Sequence, residues 1–293
     1  MLVRIVSGSE HKINKKIVDK HNAGLLRYQG HNRWRELVLE WFYKGVLLFS
    51  HETLLLPILI VGYHFLHRPI FERATALLLF TMITSVFFKS LWQIPLPEPL
   101  IGWAFPSGHM SAAITFWGWL AYEYRNRRFS VFVLFGLVAL GFSLVHMGYH
   151  RPIDIAGSIG ISSLSLLLYH FASKYYNKEI WKLYMSMALM GFAMTLTSEN
   201  FTAPAWVGTG GLVALALGAQ LNMSFTDLRL FSFRKLLVLI LSTIILYSSR
   251  QALKPFIEMT EPMALFFFYG ILVFWVFFCL DWLCARGKTT HNV

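Results

Sequence analysis

Charge is what this sequence has least of: 14% of its 293 residues are Asp, Glu, Lys or Arg, where an ordinary soluble domain carries about a quarter. The place of charge is taken by apolar residues, 56% of the chain. They recur in runs that reach the length needed to cross hydrocarbon as a helix, about 20 residues with about 17 the lower limit. Such runs follow one another from residue 52 to residue 283, which leaves no room for a separate soluble enzyme domain. Cysteine is also scarce. Cys279 and Cys284 are the only two; they sit at helical spacing in the last apolar run with no other ligand at metal-type spacing, which argues against a disulfide framework and against redox chemistry. The stretch 1–30 is polar and basic without an apolar centre, so it does not read as a secretory signal peptide. No internal repeat and no low-complexity stretch interrupts the pattern.

The charge that is present is one-sided, with a formal net charge of +11. Basic clusters are the usual footprint of nucleic-acid binders, but here Lys and Arg fall in short loops between apolar runs. That is the positive-inside bias of a membrane protein, and no nucleic-acid partner is expected. The expected fold is all-α, a polytopic transmembrane bundle with the bilayer as its surroundings. Nine spans are expected, near 52–67, 70–91, 109–124, 129–148, 152–173, 180–197, 205–221, 235–250 and 262–283. A tenth apolar segment, 36–49, contains Glu36, Glu40 and Lys44 and reads as an interfacial or re-entrant amphipathic helix. The chain divides into a basic polar leader (1–35), a membrane core holding the polar residues suited to chemistry (36–178) and a carboxyl-terminal transmembrane extension (179–293).

Nine crossings put Arg68, Arg73, Arg125, Arg127, Arg128, Lys174, Lys178, Lys182, Arg229, Arg234, Lys235, Arg286 and Lys288 on one face. That face is expected to be cytoplasmic. The loops 92–108 and 149–151 then open to the periplasm, lumen or exterior. The basic leader fits this topology only if segment 36–49 also crosses.

Ionisable residues at membrane depth are costly and are functional candidates by default. Three groups of them share the non-cytoplasmic face. Lys89 closes one apolar run; Pro106-Ser107-Gly108-His109 opens the next; His150-Arg151-Pro152-Ile153-Asp154 straddles a third boundary. Where a loop becomes a helix, backbone N–H groups without partners point at an anion. Gly108 lets that anion approach, Ser107 adds a hydroxyl and His109 a group that exchanges protons near neutrality. The same four letters also suit a routine helix start capped by Ser107. His150 and Asp154 are four apart with Pro152 between them, so the carboxylate can sit one turn from the imidazole and orient it. Alternatively Asp154 caps a helix and His150 is a solvated interfacial histidine.

Lys89, then Pro97, then Pro106-Ser107-Gly108-His109, then Gly148, His150, Pro152 and Asp154 together resemble the three-part signature of the type 2 phosphatidic acid phosphatase superfamily. That superfamily includes lipid phosphatases and glucose-6-phosphatase. The resemblance covers 89–157 and, carried over residue by residue, implies that His150 is the nucleophile forming a phosphohistidine, with Asp154 orienting it. His109 would protonate the leaving group, and Lys89, Ser107 and Gly108 would hold the phosphoryl oxygens. It implies no metal and no cofactor, and no carboxylate cluster suited to magnesium accompanies the motif.

Two positions depart from the family pattern, which has arginine where this chain has Leu96 and Leu144. Loss of one preorganised donor costs about 2.7–4 kcal/mol of transition-state stabilisation, and Arg151 and His146 are the nearest substitutes. Three functions follow as expectations. The first is a metal-independent phosphatase acting on a membrane lipid phosphate. The second is headgroup transfer between phosphodiesters, as in the distantly related sphingomyelin synthases, since a phosphodiester carries one negative charge fewer. The third is a binding or transport homologue with impaired catalysis. Among the remaining polar residues, Thr53 is expected to cap a helix beside an interfacial Glu52, with Glu52 as a buried pocket acid the alternative. Trp92, Gln93 and Trp103 either line the site's mouth or anchor the interface, and Glu199, Arg250, Glu258 and Glu261 read as surface ion-pair partners.

Overall fold

A computed structural model describes residues 39–198, 203–221 and 262–279, with single helical positions between 237 and 248. The expectations for the leader, for the span at 235–250, for Glu199, Arg250, Glu258 and Glu261, and for the two cysteine side chains lie outside the described residues. The chain forms two compact units divided after Val46. In the first, helix α1 is present from residue 39, and Lys44 pairs with Glu40 one turn away at 2.7 Å.

The described residues of the second unit form the helices α2 (Glu52–Val61), α3 (Arg68–Trp92), α4 (Gly108–Tyr124), α5 (Arg127–His146), α6 (Pro152–Tyr175), α7 (Ile180–Thr197), α8 (Ala203–Gln220) and α9 (Pro262–Phe274), with an irregular loop at 93–107. A π-type turn extends α2 through Gly62–Leu66 and another extends α9 through Trp275–Cys279. The only extended pairing among the described residues is an isolated bridge between Pro95 and Trp103. Helices α3, α5 and α6 are each long and apolar enough to cross a membrane, while α4, with 17 residues, stands at the lower limit. On α5 and α6 large apolar side chains point outward, among them Phe135, Phe142, Leu164 and Phe171. Exposed apolar area of that extent suits lipid and not water.

Local chemistry sets the helix ends. Asn126 caps α5 by accepting from the N–H groups of Arg128 and Phe129. His51, not Thr53, caps α2: its Nδ1 accepts from Thr53 N–H at 3.3 Å and lies 2.9 Å from the Thr53 hydroxyl. The imidazole reaches the second backbone donor of α2 that a threonine two positions later has no geometry to satisfy. Between helices, small residues do what apolar driving force does not do in lipid. Gly208 and Gly211 of α8 leave room for Ile83 and Leu79 of α3, and a Cβ at Gly210 would collide with the backbone carbonyl of Phe266 in α9. A hydrogen bond from Tyr63 to the Phe277 carbonyl, 2.8 Å, ties α2 to the turn after α9. Helices α3, α4, α5 and α6 run alternately, so the end of α3, the start of α4, the end of α5 and the start of α6 lie at one end of the bundle.

Candidate active site

Gly148 begins the construction. It adopts φ +71°, a left-handed conformation that glycine takes without the cost a Cβ imposes. That reversal turns the chain back on α5, and the Leu144 carbonyl accepts from the N–H groups of both Tyr149 (3.0 Å) and His150 (3.2 Å). His150 is thereby fixed by backbone before α6 begins at Pro152. Proline suits that first helical position because its missing N–H would have no partner there. One turn on, Asp154 is fully buried. Its Oδ2 accepts from Arg151 N–H at 2.8 Å and lies 3.4 Å from His150 Nδ1, an approach without the alignment of a formed hydrogen bond. Asp154 therefore caps α6 and faces the imidazole at once, so the two roles open from the sequence are held by one side chain.

The second motif is stitched to the same helix. Ser107, also fully buried, is the N-cap of α4, its Oγ accepting from Met110 N–H at 3.4 Å. Its own N–H donates to the Asp154 carbonyl at 3.3 Å. The Ser158 hydroxyl lies 3.0 Å from the Ser107 carbonyl and 2.7 Å from that of Asp154, so its one proton is shared between the loop and α6. Gly108, with nothing within 4 Å of where a Cβ would stand, leaves open space beside the first turn of α4.

An aromatic run joins this loop to α3. Phe88 stacks on Trp92 at 4.7 Å, Trp92 meets Phe105 edge-on at 4.9 Å, and the Phe105 ring lies where a Cβ on Gly157 of α6 would be. Trp92 is thus a positioning residue for the loop. Gln93 ends α3 in a left-handed conformation with its N–H bonded to the Lys89 carbonyl at 3.0 Å.

Lys89, His109 and Asp154 all lie close enough to His150 to act on its charge. Burial pushes the imidazole down to about 4, and the Lys89 ammonium pushes the same way; Asp154 pulls upward without cancelling them. His150 is consequently neutral at pH 7, with a lone pair available. The sign for stability follows. Between about 6.5, the ordinary value, and about 4 the unfolded chain binds a proton that the folded chain does not. This group's contribution is therefore complete above pH 6.5 and lost as pH falls through that window.

His146 ends α5 and Arg151 precedes α6, both with exposed side chains. Leu144 is buried in α5, and Leu96 is part-buried in the 93–107 loop, its N–H donating to the Gly102 carbonyl at 2.9 Å. Sequence reasoning missed Ser158 and Gly157. Both lie on the helix that carries Asp154, four and three residues on, which was the available signal. It also missed a cavity of about 710 Å³ whose polar end is lined by His51, Glu52, Lys89, Gly108 and His109.

Residues 66–178 match the model of the PAP2 superfamily. That segment belongs to the PAP2 superfamily. No curated protein and no solved structure matches it. The matched segment contains Lys89, Ser107–His109 and His150–Asp154, with helices α3, α4, α5 and α6 that carry them. A PAP2 segment within a set of apolar helices makes this an integral membrane protein, and the family it matches is one of phosphatases.

The packing of Phe105 on Gly157 gives a test of the site's construction. Gly157→Val displaces the ring and with it the Ser107 loop, and a shift of about 1 Å in a reacting group costs on the order of a hundredfold in turnover. Phosphate release by a folded Gly157→Val variant is expected to fall by that order, with part recovered when Phe105→Leu is added. Undiminished release would show that the loop is held in some other way.

Proposed function

We propose that this protein is a metal-independent lipid phosphate phosphatase that works through a phosphohistidine on His150. The observation that carries the proposal is the convergence of three separate motifs on one buried imidazole. Asp154 faces its Nδ1, which leaves Nε2 for the substrate, and Lys89 and His109 stand near the same ring. In the first step His150 Nε2 attacks phosphorus and the bond to the ester oxygen breaks. His109 gives its proton to that oxygen, and the lipid alcohol departs. Water then attacks the phosphohistidine, passing a proton to His109, and inorganic phosphate leaves. Lys89 and the free N–H groups at the start of α4 hold the phosphoryl oxygens as charge shifts. Among the described residues no three His, Cys, Asp or Glu side chains gather as metal ligands would.

By the distribution of basic residues, the active site opens on the periplasmic, lumenal or extracellular face. Arg68, Arg73, Arg125, Arg127, Arg128, Lys174, Lys178 and Lys182 lie at the opposite end of the helices that carry it.

Purified protein is expected to release phosphate from phosphatidate, lysophosphatidate or an isoprenyl pyrophosphate in the presence of a chelator. No release above a His150→Ala control across such a panel would end the proposal. One observation favours headgroup transfer as a second function: among the described residues lining the cavity, Lys89 is the one permanent cation and Glu52 stands at the same end. A site so sparing in positive charge suits a phosphodiester better than a monoester dianion. Mass spectrometry with a labelled phosphodiester donor and a diacylglycerol or ceramide acceptor separates the two, since only transfer yields a new phosphodiester.

A further inference from the structure

The cavity that begins at Lys89 and His109 does not end there. It continues along α3 past Val86, Met82 and Leu78 to Thr75, facing Leu59 of α2, Val207 of α8 and Leu272 of α9. Among the described residues that line it, the charged side chains are gathered at one end, and most of the rest are hydrocarbon, with Ser85, Thr75 and Thr81 among the exceptions. The Thr75 and Thr81 hydroxyls donate to carbonyls of α3 itself, those of Phe71 and Leu77, so they do not make the wall polar. From Thr75 to Lys89 the helix rises about 21 Å. Half of a bilayer's hydrocarbon core is about 15 Å. The channel is therefore long enough to take an entire lipid chain while its phosphate stays beside Lys89.

We propose that this cavity is the hydrocarbon-chain site of the substrate, so that α8 and α9, which lie outside the family segment, help to select a long-chain lipid phosphate. The inference rests on the phosphatase proposal for the head of the ligand, and it adds the site for the tail. The occupant follows from the two ends of the cavity. A cation, an imidazole and an open helix start suit a phosphate, and the apolar wall continuous with them suits only hydrocarbon. The close passages of α8 against α3 and α9 at Gly208, Gly210 and Gly211 hold these walls in place.

The test uses the full chain in lipid nanodiscs and hexadecyl phosphate carrying a photoreactive diazirine at the end of its chain. Labelling is expected at residues deep in the cavity, such as Met82, Val207 and Leu272. Excess unlabelled hexadecyl phosphate is expected to reduce it at least tenfold, and butyl phosphate to leave it unchanged. Labelling confined to outward residues of α5 and α6, such as Phe142 and Phe171, or insensitive to competition, would overturn the proposal. In a second arm, Val207→Trp shortens the channel, and the ratio of hexadecyl to butyl phosphate turnover is expected to fall at least tenfold; an unchanged ratio in the folded variant would also overturn it. The labelling arm needs no catalysis. Cavity labelling without phosphate release would uphold the chain site and sink the phosphatase proposal, while phosphate release without cavity labelling would do the reverse.

Discussion

Replacing His150 by alanine is expected to abolish turnover, by on the order of 10⁶-fold, the scale on which loss of a nucleophile removes covalent catalysis. The imidazole is nearly buried, but its backbone is held independently of its side chain. The Leu144 carbonyl binds the His150 N–H, and Pro152 starts the next helix whatever precedes it by two residues. The variant should therefore fold. Removing the imidazole leaves Asp154 its bond to Arg151 N–H, so the buried carboxylate is not left without a partner. The measurement is phosphate release beside thermal unfolding. A folded His150→Ala variant that keeps more than a small residue of the activity would mean that the phosphoryl group is never carried by this side chain.

Asp154→Asn is expected to cost about 10⁴-fold in turnover, as loss of an orienting carboxylate does elsewhere by leaving the imidazole in the wrong tautomer. The amide keeps an oxygen for Arg151 N–H, so the cap of α6 survives and the loss falls mainly on His150. A purely structural role would not move the titration of His150, and the proposed role does. Because Asp154 pulls the His150 value upward while burial and Lys89 press it down, removing its charge should lower a value already near 4. Nitrogen-15 spectra of labelled histidine would show the midpoint moving to more acid pH in the variant, and a midpoint unmoved or moved upward would contradict the assignment of Asp154 as the partner of that ring.

Much of this arrangement was legible in the sequence because the membrane makes it so. A helix that must bury its backbone in hydrocarbon is written as an apolar run, and the expected spans 70–91 and 152–173 each fall within two residues of the ends of α3 and α6, both apolar enough to cross. The site motifs were legible for a local reason: Ser107 and Asp154 act at helix starts, where sequence and geometry lie within a single turn. What was not legible depends on chains meeting far apart in sequence. Ser158 reads as one more small polar residue in an apolar helix until its hydroxyl is seen against the carbonyl of Ser107, 51 residues away. The cavity was invisible for the same reason, since Met82, Val207 and Leu272 are unremarkable apolar residues on three helices until packing sets them around one space. Glu52, which the sequence leaves open between an interfacial carboxylate and a pocket acid, stands in the first turn of α2 at the polar end of that space.

Of the two leucines read from the sequence as standing in place of arginine, Leu144 has a definite structural part. Leu144 supplies the carbonyl that holds His150 and is itself buried against the bundle, so its side chain serves the packing of α5 while its backbone serves the site. On the proposed function, Lys89 and the start of α4 would hold the phosphate, and the proposed chain channel would add binding of the substrate's tail.

The most direct measurement is to trap the covalent intermediate. Protein mixed with a phosphorus-32-labelled lipid phosphate is quenched within a turnover in alkaline denaturant, where a phosphoramidate bond survives, and digested for mass spectrometry. The account predicts one phosphorylated peptide, modified on His150, absent from His150→Ala and increased when His109→Ala slows the water step after a good leaving group has departed. Label on any other residue, or turnover with no labelled peptide at any time point, would contradict it.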